Sequence, residues 1–143
     1  MTLREQWREF ARKLEEAEEK RASAQTAEEL AKTEALFTEA ESHAKELFSR
    51  YPEVEGKQPY EGDLRTCTAG RLLSGVLLRV QQLRDGSIPK EVARQEIKTM
   101  AASLLNLRAD HGRFFDTTLN NGINQIERLY QKLLQQRPSI SPD

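Results

Sequence analysis

Five prolines, at positions 52, 59, 89, 138 and 142, leave long stretches of the chain with none inside. Proline lacks a backbone donor and disfavours helical geometry in the residue before it, so it marks where a helix stops. Between these marks the chain is open to helices of many turns. The kind of apolar residue points the same way, with 18 Leu and 14 Ala against 4 Val and 5 Ile. Leu and Ala favour helices, whereas a sheet draws on β-branched and aromatic residues. The fold class expected is all-α: a four- or five-helix bundle that begins with an antiparallel helical hairpin.

The apolar spacing supports this. Leu3, Trp7, Phe10, Leu14 and Ala17 recur at intervals of 4, 3, 4 and 3, which puts them on one seam of a helix. Thr26 and Glu29 form a capping box that starts a second helix. Its seam runs through Leu30, Phe37, Ala40, Ala44, Leu47 and Phe48, and Tyr51–Pro52 ends it. Residues 52–62 read as an exposed loop. A third helix is expected over Asp63 to Arg84, apolar on almost every side, which suits a position at the centre of the bundle. Gly70 and Gly75 inside it each cost about 1 kcal/mol of helix propensity and want a packing reason. Gly70 and Ser74, four apart, would admit a neighbouring backbone.

Asp85–Gly86 stops that helix and Ser87-Ile88-Pro89 starts the next. Its seam passes Ala93, Ile97, Met100, Leu104, Leu107, His111 and Phe114, and a last seam runs from Phe115 to Leu133. Two sites compete for the turn between these helices, Gly112 and Gly122. In the second case Asn124 and Glu127 would cap a fresh helix. Residues 1–137 are expected to be one helical domain and 138–143 a disordered tail.

Within the domain the charge is uneven. Residues 1–62 hold 10 Lys/Arg and 15 Asp/Glu, a net of −5, whereas residues 63–143 hold 12 and 8, a net of +4. The expected organisation is an acidic hairpin over 1–51 and a more basic bundle over 63–137. No run of apolar residues reaches the roughly 18–20 that a membrane span needs, no signal-peptide core is present, and one cysteine excludes an internal disulfide. These features fit a cytoplasmic protein with no membrane partner.

Catalytic signatures are missing. The sequence has no phosphate- or dinucleotide-binding glycine loop, no Gly-x-Ser-x-Gly and no cysteine pairs for zinc. Glu39, His43 and Glu46 share a helical face, but without the spacing of a known metal motif. His111 lies on an apolar seam, and Cys67 sits among small residues with no base beside it. The chain is therefore read as a non-enzyme with no cofactor, no metal and no small-molecule substrate. No segment carries the signature of a named family.

The functional expectation is a protein-interaction module, an adaptor or small assembly subunit that meets a protein partner or a second copy through helix faces. Its candidate contact residues are Trp7 and Phe10 on the hairpin, residue types enriched at interface anchors, and Ser74 and Leu78 on the second face of the third helix, which carries more apolar surface than one bundle face requires. The alternative is a nucleic-acid-contacting subunit using Arg71, Arg79, Asn121, Asn124 and Arg128, where arginine grips phosphate and amides reach bases.

Overall fold

The computed structural model describes residues 2–135. It contains five α-helices: α1 (Leu3–Ser23), α2 (Ala27–Arg50), α3 (Tyr60–Asp85), α4 (Lys90–His111) and α5 (Thr117–Gln135). Short 3-10 turns at Pro52–Val54 and Gly112–Phe114 join α2 to α3 and α4 to α5. No strand occurs among the described residues, so the all-α helical bundle is the fold. The tail expected at 138–143 lies outside the described residues.

Local chemistry sets the helix ends. Thr2 Oγ1 accepts from the Glu5 amide to cap α1. The capping box of α2 is complete, with Thr26 Oγ1 accepting from the Glu29 amide and the Glu29 carboxylate accepting from the Gln25 and Thr26 amides. Gly86 closes α3 in the left-handed region at φ 74°, where a side chain would be strained.

α3 is the shared wall of the molecule. One core cluster joins Trp7, Phe10, Leu14 and Ala17 of α1 and Phe37, Ala40, Ala44 and Leu47 of α2 to Leu64 and Cys67 of α3. A second joins Ala69, Leu72, Leu73 and Val76 of α3 to Ile97, Ala101 and Leu104 of α4 and Leu119, Ile123 and Ile126 of α5. This is why α3 is apolar on almost every side: it is buried from two directions.

One expectation is corrected and one open alternative is settled. The 52–62 segment is not all loop, since Val54 is buried and Glu61 and Gly62 already belong to α3. The chain turns at Gly112, and α5 runs unbroken through Gly122 because Asp116 Oδ1 accepts from the Leu119 amide and starts the helix earlier. Asn124 and Glu127 therefore cap nothing; both meet Arg108 of α4.

Candidate functional site

Antiparallel α2 and α3 are tied by two rows of ion pairs. Glu34 and Glu41 stand about two turns apart on α2, as Arg79 and Arg71 do on α3 in the reverse order, so each acid meets one arginine. Glu41 is buried, and a buried carboxylate needs donors. It receives them from the Thr68 hydroxyl at 2.5 Å, from Arg71 Nε at 2.8 Å and from Arg71 Nη2 at 3.4 Å. Arg79 Nη1 bonds both Glu34 oxygens at 3.0 Å, while its Nε reaches Glu96 of α4 at 3.1 Å. Burial works against the Arg79 charge, but the Glu34 and Glu96 carboxylates outweigh it and hold its pKa above the usual arginine value.

Beside the Glu41 row, a groove of about 500 Å³ opens between α3 and α4. Thr68 and Arg71 line one wall, and Ser103, Asn106, Asp110 and His111 line the other. Glu41 accepts from Nε and Nη2 of Arg71, which orients the guanidinium and leaves both Nη1 hydrogens and one Nη2 hydrogen as further donors. His111 stacks on Phe114 with ring centroids 6.2 Å apart, and its Nδ1 is buried without a hydrogen-bond partner. A second groove of about 470 Å³ lies between the end of α1 and α2. Its two carboxylates are already committed, Glu29 to the α2 cap and Glu39 to Lys13 at 3.4 Å. The α3–α4 groove is the better binding candidate, because its exposed Ser103, Asn106 and Asp110 stand across from an arginine that Glu41 holds in place.

The four residues expected at an interface are all inside. Trp7 and Phe10 pack on each other at 4.8 Å in the α1–α2–α3 cluster. Ser74 and Leu78 are buried on α3. The apolar surface on α3 that suggested a partner is covered by the chain's own helices. Gly70 receives the Phe37 ring, not a neighbouring backbone.

The residues named for nucleic acid are divided. Arg71 and Arg79 neutralise carboxylates between α2, α3 and α4, while Asn121, Asn124 and Arg128 are exposed on α5. Of that trio, Asn124 already accepts from Arg108. The Glu39–His43–Glu46 triplet is also drawn apart. Glu39 turns to Lys13, Glu46 pairs with Arg50, and His43 meets the edge of Phe10. Among the described residues no group of three or more His, Cys, Asp or Glu is placed to hold a metal ion. Burial, reinforced by nearby carboxylates, pushes the Cys67 thiol far up, which disfavours the thiolate a nucleophile requires.

Two polar contacts escape a reading of the sequence: Glu41 with Arg71, and Trp7 with Asp63. One signal for the first was present. Glu41 follows Ala40 and precedes Ala44 on the α2 seam, so it falls at a core position and requires a partner there. No helix among the described residues is long and apolar enough to cross a membrane. No family model, no curated protein and no solved structure matches the chain.

Proposed function

We propose that the chain is a non-enzymatic helical interaction module that holds a protein partner reversibly through the polar α3–α4 groove. The observation that carries this reading is the set of accessible polar groups along that groove: Arg71, oriented by buried Glu41, faces the exposed Ser103, Asn106 and Asp110 of α4. An arginine held in place by its own fold meets a partner's carboxylate or carbonyl at little cost in side-chain ordering. A permanent apolar interface has less support. Val92 and Leu134 are the exposed large hydrophobic residues among those described, whereas obligate interfaces bury extensive apolar surface. The module belongs, on this reading, in the cytoplasm, where the single buried Cys67 stays reduced.

The test uses a tagged chain to capture partners from a cell extract, with two variants in parallel. Asn106→Trp with Ser103→Trp blocks the groove, and Arg128→Glu reverses a charge on the exposed face of α5. A partner retained by wild type and Arg128→Glu but lost on groove blocking supports the reading. A partner indifferent to the block overturns it. Nucleic acid that co-purifies, dissociates in salt and is lost with Arg128→Glu would put the α5 face in its place.

A further inference from the structure

We propose that the α4–α5 side of the molecule is a docking face for an acidic α-helix of a partner protein, one whose carboxylates recur every four residues. The basic residues of the C-terminal half are unevenly used. Arg71, Arg79 and Arg108 each meet a carboxylate inside the fold. Lys90, Arg94 and Lys98 of α4 and Arg128 and Lys132 of α5 form no ion pair among the described residues.

Helical geometry gathers these cations. Lys90, Arg94 and Lys98 follow at four-residue steps, so they share one face of α4. Lys90 and Arg108 are about five turns apart and point the same way, and Arg108 reaches Asn124 and Glu127 of α5. The row therefore runs along the flank of α4 that faces α5. On α5 a second row starts at Asn124 and continues through Arg128 and Lys132 at the same step. A shallow hollow of about 570 Å³ opens along it, lined by Asn124, Glu127, Arg128, Gln131 and Lys132.

Acids do little to offset these rows. Glu127 is held by Arg108, and Glu91 is the other carboxylate beside them. Arg94 Nε is buried without a hydrogen-bond partner, so the flank gives that guanidinium no acceptor there. α1 provides the contrast. Its exposed Arg4, Arg8 and Arg12 repeat the same step, but exposed Glu5, Glu9 and Glu16 stand beside them.

Spacing selects the partner. A four-residue step is about 6 Å along a helix, and a second helix bearing Glu or Asp at that step repeats at the same interval. Duplex DNA carries a charge every 1.7 Å or so, far denser than the rows. Single strands are held largely by stacking bases on aromatic rings, and no aromatic residue among those described is exposed. Exposed charges act chiefly on the rate of encounter, so the contact is fast, weak and sensitive to salt. Ser103, Asn106 and Asp110 line the groove on the other side of α4, so this inference does not rest on the groove reading.

The test measures fluorescence anisotropy of a labelled, Ala-based helical peptide with Glu at every fourth position. The same peptide with Gln, and single- and double-stranded oligonucleotides, are measured in parallel. At low salt the full chain is expected to bind the Glu peptide about tenfold more tightly than the Gln peptide, and to release it at about 500 mM, where charges are screened within about 4 Å. Lys90→Glu with Arg94→Glu and Lys98→Glu should remove that preference. Arg4→Glu with Arg8→Glu and Arg12→Glu changes the net charge equally and should keep it. Equal binding of the two peptides overturns the proposal, as does an α4 variant that binds like wild type, or an oligonucleotide bound more tightly than the Glu peptide. If circular dichroism shows the α4 variant unfolded, Arg128→Glu with Lys132→Glu takes its place, and unchanged binding there overturns the proposal equally.

Discussion

The Phe37 ring of α2 fills the space that a side chain at Gly70 of α3 would need: a Cβ built there stands 2.5 Å from Phe37 Cζ. The glycine is what lets the two most closely packed helices of the hairpin side approach, and Phe37 has no exposed surface as a result.

Gly70→Ala is therefore expected to destabilise the protein. Alanine gains about 1 kcal/mol of helix propensity, but overpacking against a fully buried ring costs about 1–3 kcal/mol, so the net loss reaches about 2 kcal/mol. Gly75→Ala should cost less, since its added Cβ meets the end of the flexible Met100 side chain and the Glu34 carboxylate. Urea denaturation of both variants checks the order, and equal losses would show that ring packing is not the cause.

Arg71→Ala strands a carboxylate with 8% side-chain exposure. The expected loss is about 2 kcal/mol, below the full cost of breaking a buried pair because the arginine itself is 29% exposed and Thr68 still donates. Adding Glu41→Gln removes the stranded charge and should restore part of that loss. A double variant no more stable than Arg71→Ala would mean that Glu41 does not depend on the arginine.

Leu78→Glu buries a charge without a partner and should cost about 4 kcal/mol or more, enough to unfold a marginal domain. Leu134→Ser, at a residue 53% exposed, should change stability by less than about 0.5 kcal/mol. Circular dichroism and thermal melts separate the two. A helical, fully stable Leu78→Glu protein would return that face of α3 to consideration as an interface.

His43 gives the protein a pH signature. Burial, then the Lys13 charge, lowers its pKa from the usual 6.5, while Glu9 and Glu46 pull the other way. The folded state then binds fewer protons than the unfolded chain, and stability falls as pH drops through the histidine range. His43→Gln should flatten the decline between about pH 7 and about pH 5 in urea midpoints, a window set by the ordinary histidine value. Parallel curves for the two proteins would exclude His43 as the source.

Much of the fold was legible in the chain. Apolar spacing, the Thr26–Glu29 box and Asp85–Gly86 located the helices, because caps and seams depend on residues within one or two turns of each other. The centrality of α3 was also readable, since a helix apolar on most sides has to be covered from more than one direction. The turn at Gly112 was not, because glycines 112 and 122 offer the same local chemistry. The Asp116 cap is local and was a signal for Gly112, but what carries the helix through Gly122 is its packing against Leu73, a residue 49 positions away.

The candidate site was less legible still. Trp7 and Phe10 have the chemistry of interface anchors, Ser74 and Leu78 lie on a second face of α3, and nothing in their spacing says whether the surface they meet is another chain or their own. Arg71 and Arg79 look like phosphate ligands until the reverse register of α2 brings Glu41 and Glu34 against them. The sequence alone determined which residues share a helix face, since that follows from a period of 3.6. Tertiary structure alone decided which faces meet, because burial and ion pairing arise between residues distant in the chain, and those contacts select core from surface.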